Sequence, residues 1–116
     1  DLTNQTVIYY KNGEVITQGN VVTGNVSQGH ATPAGVYKLD WKAKDYVLRG
    51  QGYASPVNFW MPFNGGIGLH DASWRSSFGG SIYKTNGSHG CVNLTLSDAR
   101  SVYNLTKIGD PVFIHY

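Results

Sequence analysis

Short apolar runs rich in Val, Ile, Thr, Tyr and Phe recur along the chain, separated by glycines and polar turns. This is the pattern of many short strands. Thr6 to Lys11 and Glu14 to Thr17 flank Asn12-Gly13. Asn-Gly between two β-prone runs predicts a type I′ hairpin, because both central turn residues need positive φ. A third run, Asn20 to Gly24, precedes a polar loop from Asn25 to His30 and a turn at Thr32-Pro33-Ala34-Gly35. Val36 to Lys42 alternates apolar and polar residues, as a strand with one buried face does. Tyr46 to Arg49 and Val57 to Phe63 read as further strands, and Gly66 to His70 as one that delivers His70 at its end. Residues 71–90 are mostly Ser, Gly, Asn and aromatics and read as a long functional loop. One segment has helical spacing: Leu96, Ala99, Val102, Leu105 and Ile108 share one face. Thr95 caps it, with Asp98 as a weak capping-box partner, and Gly109 and Pro111 end it. Val112 to Tyr116 is a last strand. The expected fold is mainly β with one C-terminal helix.

Composition narrows the class. The 116 residues fit one domain, 1–116, within the usual range of about 100–150. A chain this long buries roughly two-thirds of its unfolded surface, so it needs no disulfide or structural metal. With 41% hydrophobic and 14% charged residues it is not a disordered chain. A net charge of +2 is too weak for a dedicated nucleic-acid binder. No apolar run reaches the roughly 18 residues of a membrane-crossing helix. The polar surface has no evident pattern, so a monomer is the default expectation, and no cofactor is expected. The single cysteine, Cys91, excludes an intramolecular disulfide and a multi-cysteine zinc site.

Cys91 sits in Ser88-His89-Gly90-Cys91-Val92-Asn93. A thiol attacks as thiolate, so something must activate it. His89, two residues away, and His70, at the end of a strand, are the candidates. Gly90 lets the backbone turn, so that the N–H groups of Gly90 and Cys91 form a natural oxyanion hole. A polar group must then hold the second ring nitrogen of the base. Ser88 is one candidate for this; Asp71 is another, although neighbours along a strand face apart. The residues alone leave a nucleophilic and a structural Cys91 both open. A metal site built from His70, His89 and Cys91 has irregular spacing and is the weaker reading. His30 and His115 read as an exposed loop histidine and a strand histidine without an evident partner.

His70, the 18-residue step to Ser88, and the Ser-His-Gly-Cys-Val-Asn run together resemble the signature of the L,D-transpeptidase catalytic domain, the YkuD family. Val22-Thr23-Gly24 followed by Thr32-Pro33-Ala34-Gly35 is similar to an early segment of that family. Trp60-Met61-Pro62-Phe63 and Gly66 to Ala72 are similar to its form in low-GC Gram-positive bacteria. The resemblance covers nearly the whole chain. It implies a β-sandwich around a catalytic cleft and a reaction on peptidoglycan peptide stems. In that reaction Cys91 attacks the carbonyl of the third residue of a tetrapeptide stem, releases D-Ala and becomes a thioester. An amine of a neighbouring stem then forms a 3→3 crosslink. The resemblance implies His70 as base or imidazolium partner, Ser88 orienting it through a backbone contact, His89 in support, and Gly90 at the oxyanion hole. It also implies acylation by carbapenems, and a site of action on the cell-wall face of a Gram-positive bacterium, with the full-length protein membrane-anchored.

Trp60, Trp74, Asn93 and Asp71 are the candidate substrate contacts. For Trp60, Trp74, Phe63 and Tyr83, core packing is the plainer alternative. Arg75 could meet a substrate carboxylate or be a solvated surface residue. Asn93 is as well suited to bonding the loop backbone. Five Asn-x-Ser/Thr triplets, at Asn4, Asn25, Asn86, Asn93 and Asn104, read as chance. Two rivals remain: an L,D-carboxypeptidase on the same fold, and a non-catalytic wall-binding module. A thiolate–imidazolium pair of Cys91 and His70 would make the thiol reactive well below pH 8.5, the ordinary thiol range being about 8.5.

Overall fold

The computed structural model describes residues 1–50 and 52–116. Strands β1 (Thr6–Lys11) and β2 (Glu14–Val22) form the expected hairpin. Its turn has φ of 54° at Asn12 and 79° at Gly13, the doubly positive pair a type I′ turn requires. β2 is continuous where the pattern suggested two runs. Gln18 and Gly19 pair through their backbones with Ile8 and Val7, which needs no apolar side chain.

The remaining strands are β3 (Gly35–Lys38), β4 (Ala43–Gly50), β5 (Tyr53–Asn64), β6 (Ile67–Asp71), β7 (Val92–Leu94) and β8 (Pro111–Ile114). Six of them form one sheet in the order β1-β2-β7-β6-β5-β4, and β3 pairs with β8 in a second. Neighbours in the large sheet run antiparallel except β6 and β7, which are parallel. A parallel pair cannot be closed by a hairpin; it needs a crossover of a dozen or more residues. The long loop of residues 72–91 is that crossover.

The single-helix expectation needs correcting. The crossover contains a short helix, α1 (Ile82–Asn86), and a 3-10 turn spans Val26–Gln28. Neither buries a residue, so neither leaves an apolar period in the sequence. The expected C-terminal helix is α2 (Leu96–Leu105), where the Thr95 side chain accepts from the Asp98 N–H at 3.2 Å. It ends before Gly109. Thr106 is extended, at φ −89° and ψ 159°, which turns the chain out of the helix, while its N–H and its hydroxyl both donate to the Val102 carbonyl, at 3.0 and 2.7 Å. Ile108 is accordingly exposed, and α2 buries Ala99 and Val102.

One face of the large sheet carries the core. Phe59, Met61 and Phe63 of β5 alternate inward with Leu69 of β6 and with Val92 and Leu94 of β7. They close on Ala99 and Val102 of α2 and on Leu39. Phe63, a possible cleft aromatic, belongs to this core and lies against Tyr37.

Candidate active site

The site is a consequence of the parallel pairing. Leu69 pairs with Val92, His70 with Asn93 and Asp71 with Leu94. Side chains alternate along each strand, so residues 68, 70, 91 and 93 share the face opposite the core. His70, Cys91 and Asn93 all line one cleft of about 610 Å³. Two segments far apart in sequence thus meet because a crossover returns the chain in register.

His70 is 3% exposed, with its ring between those of Trp60 and Trp74, at 5.9 and 5.8 Å between centroids. Its Nδ1 lies 2.7 Å from the carbonyl of Asp71. A carbonyl only accepts, so Nδ1 holds the proton and Nε2 the lone pair. Burial lowers the imidazole pKa below its ordinary value; the Asp71 carbonyl and charge oppose this, and the Arg75 charge adds to it. Ser88, expected to orient the base, does not make this contact. Its hydroxyl donates to the Cys91 carbonyl at 2.5 Å and accepts from the Gly90 N–H at 3.1 Å. Ser88 therefore braces the turn that carries the thiol.

That turn has Gly90 at φ 131°, a conformation open to glycine and strained for other residues. Thr32, buried at the far side, donates to the Gly90 carbonyl at 2.6 Å and accepts from the Gly24 N–H at 2.9 Å. Since the Gly90 N–H is bonded to Ser88, it is not free for an oxyanion, and of the expected pair only the Cys91 N–H remains. The Cys91 thiol lies 3.5 Å from the Gly66 carbonyl. Burial pushes its pKa up, and the Gly68 N–H pulls it partly back. Both partners thus favour their uncharged forms, unlike the thiolate–imidazolium pair considered from sequence.

Two expected substrate contacts are buried structural groups. Asp71, on the other face of β6, is 2% exposed. Its carboxylate accepts from the backbone N–H of Asn58 and of Phe59 and from Asn58 Nδ2, at 2.8–3.0 Å. It fastens β5 to the end of β6. Trp60 is 3% exposed, stacked on Tyr46 at 6.1 Å on one side and against His70 on the other. It supports the base and lies outside the cleft lining. Trp74, by contrast, is 53% exposed and lines the cleft. So does Asn93, whose Oδ1 is buried without a hydrogen-bond partner.

His89 and Arg75, both weighed from sequence, lie at the cleft, whereas Tyr53 and His30 gave no signal there. His89 lines the cleft and stacks on Tyr53 at 5.0 Å, nearly parallel, while His30 packs on it at 5.1 Å. His30 thus backs His89 from outside the cleft lining, and its Nδ1 is buried without a partner. Arg75 also lines the cleft. Among the described residues, no three His, Cys, Asp or Glu side chains converge closely enough to hold a metal ion.

The domain is mainly β, and a half-buried thiol and an imidazole lie on one face of its large sheet, at one cleft. The model of the L,D-transpeptidase catalytic domain, YkuD, matches residues 1–114, and the chain belongs to that family. A cysteine-to-serine mutant of Enterococcus faecium L,D-transpeptidase superposes with a TM-score of 0.92 at 38% identity, over 98% of this chain and 47% of that one. The catalytic domain of the E. faecium enzyme acylated by ertapenem gives 0.87 at 39% identity, over 98% and 92%. L,D-transpeptidase 2 of Mycobacterium tuberculosis is 30% identical over 112 residues, 87% of this chain and 26% of that protein. The chain thus spans about a quarter to a third of the curated relatives it matches.

Proposed function

We propose that this domain is a cysteine-dependent peptidoglycan L,D-transpeptidase. The observation that carries the reading is the shared sheet face, which groups Cys91 with His70 and Asn93 at one cleft. Membership of the family and the ertapenem-acylated relative support the same chemistry.

With both groups uncharged at rest, the thiol proton passes to His70 Nε2 as the sulfur attacks the carbonyl of the third stem residue. The Asp71 carbonyl steadies the imidazolium that forms, and the Cys91 N–H receives the developing oxyanion. His70 then gives its proton to the departing amine of the terminal D-Ala, leaving a thioester on Cys91. An acceptor amine attacks the thioester, its proton goes to His70, the thiol is restored, and a 3→3 crosslink results. Water in place of the amine would give a carboxypeptidase instead. The protein acts on the wall face of a Gram-positive cell, held there by a membrane anchor elsewhere in the full-length chain.

Intact mass spectrometry after incubation with a carbapenem tests the reading. One adduct per wild-type molecule, and none on Cys91→Ala, is the expected result. The same adduct on both proteins, or on neither, overturns it. Turnover of stem peptides with and without an acceptor amine then separates transfer from hydrolysis.

A further inference from the structure

Among the described residues, the cleft lining contains no Asp or Glu, and Arg75 is its one permanently charged side chain. Arg75 stands just after β6, its backbone turned by a hydrogen bond from its N–H to the Ala72 carbonyl at 3.1 Å. Its Nη1 donates to the Asn86 carbonyl at 2.8 Å, tying one corner of the guanidinium to the end of α1. Its Nε is buried and has no partner. A guanidinium N–H withdrawn from water and left unpaired is costly, and the charge as a whole is disfavoured by burial. A planar fork with one side anchored and a free N–H matches a carboxylate. The charge also lies within electrostatic reach of His70, whose pKa it lowers. A carboxylate bound here would lie in the same cleft as His70 and Cys91.

Resting on the transpeptidase reading, we propose that Arg75 binds a free carboxylate of the acyl donor next to the scissile bond. When the departing residue is the last of the stem, its α-carboxylate lies two bonds from the departing nitrogen. A stem one residue longer, or one ending in an amide, presents no charge there. Arg75 thus makes the site selective for donors with a single residue beyond the scissile bond. The carboxylate of a β-lactam offers the same chemistry from a second source.

The test compares two tetrapeptide donors, one with a free C-terminal carboxylate and one with a C-terminal amide, on wild type, Arg75→Gln and Arg75→Lys. The wild type is expected to favour the acid by about 10–100-fold, mostly through KM, as for a charge-assisted contact. Arg75→Gln brings the acid down to the level of the amide, and Arg75→Lys retains part of the preference. Equal turnover of acid and amide by the wild type overturns the inference without any variant. So does an Arg75→Gln protein that slows both donors in proportion, because the contact with Asn86 would then be its whole role. Acylation rates with a carbapenem and its carboxylate ester, on the same three proteins, show whether the β-lactam uses the same contact. A wild type that turns over neither stem donor and takes no carbapenem adduct overturns the transpeptidase reading and this inference together. A wild type that takes the adduct yet ignores the terminal charge overturns the inference alone.

Discussion

Residues alternate along β6 and β7 between two surfaces that share a backbone and differ in almost everything else. Leu69, Val92 and Leu94 point into the core with Met61 and Phe63, and the one acid on that side, Asp71, has its carboxylate fully engaged by β5. The opposite surface carries His70, Cys91 and Asn93, and there polar atoms are buried without partners, Asn93 Oδ1 and Arg75 Nε among them. Buried polar groups are ordinarily satisfied, because leaving one unmet costs about 1–3 kcal/mol. One face therefore holds the strands together, and the other spends stability on groups that await a ligand. Any substitution should harm stability or chemistry according to its face.

The largest contrast is between His70→Ala and Leu94→Ala, two positions at adjacent strands on opposite faces. Removing the base should slow acylation of Cys91 by about 10²–10⁴-fold, the usual range for a general base. The fold should stay intact, which a urea unfolding curve checks. Leu94 is fully buried, so its truncation should cost about 3 kcal/mol. Acylation per folded molecule should be unchanged. Equal loss of both properties in both variants would mean that the two faces are not independent.

Asp71 sharpens the contrast within one dipeptide. Its neighbour His70 faces the cleft, while its own carboxylate holds three donors of β5. Asp71→Ala should destabilise the domain by about 2 kcal/mol, through donors left unmet. KM for a stem donor should hardly move. A raised KM at unchanged stability would restore the substrate contact expected from sequence.

Protonation separates the faces more gently. His70 is held below its ordinary pKa, so between that ordinary value, about 6.5, and its folded value the unfolded chain carries a proton that the folded one lacks. The contribution of His70 to stability is complete above about pH 6.5 and declines as pH falls toward the folded value. The slope of unfolding free energy against pH should flatten below 6.5 in His70→Ala relative to wild type. Burial of Cys91 works in the other direction on the thiol. Iodoacetamide should therefore react with a midpoint above the ordinary thiol value of about 8.5. A midpoint well below it would show that the pair rests as thiolate and imidazolium.

What sequence could show divides along the same line. The Asn12-Gly13 hairpin, the Thr95 cap and the apolar β5 core rest on local rules, and each was legible from its own few residues. The meeting of His70 with residues 91–93 depends on a parallel pairing across a twenty-residue crossover, and no local period encodes that. The resemblance of the Ser-His-Gly-Cys run to a known family supplied it instead. β7 was hidden because Val92-Asn93-Leu94 is only three residues long with a polar residue at its centre. Asp71 and Trp60 misled because a carboxylate and an aromatic beside a histidine look like site chemistry, whereas packing turned one away from the cleft and buried the other behind the base. His30 gave no signal, since its place depends on stacking with His89, 59 positions along the chain.

The mildest perturbation falls on Thr32, which touches neither face directly. Its hydroxyl connects the Gly24 N–H to the Gly90 carbonyl, so it holds the peptide just before Cys91 from behind. Thr32→Val keeps the volume and removes the hydroxyl, leaving a buried donor and acceptor unmet at a cost of about 2 kcal/mol. The turn would retain the brace from Ser88 to Gly90 and Cys91, so the thiol should shift only slightly. Acylation should slow by less than about tenfold, well short of a lost base, because a small misplacement of a reacting group is penalised in kcat. Thr32→Ser, which restores the hydroxyl, should recover most of that rate even if the lost methyl group lowers stability. Stability lost in Thr32→Val without any change in rate would leave Thr32 a core residue. A loss of rate that Ser reverses would make the early Thr-Pro-x-Gly turn a positioning element for the nucleophile, reaching the site through one hydrogen bond across 58 positions of sequence.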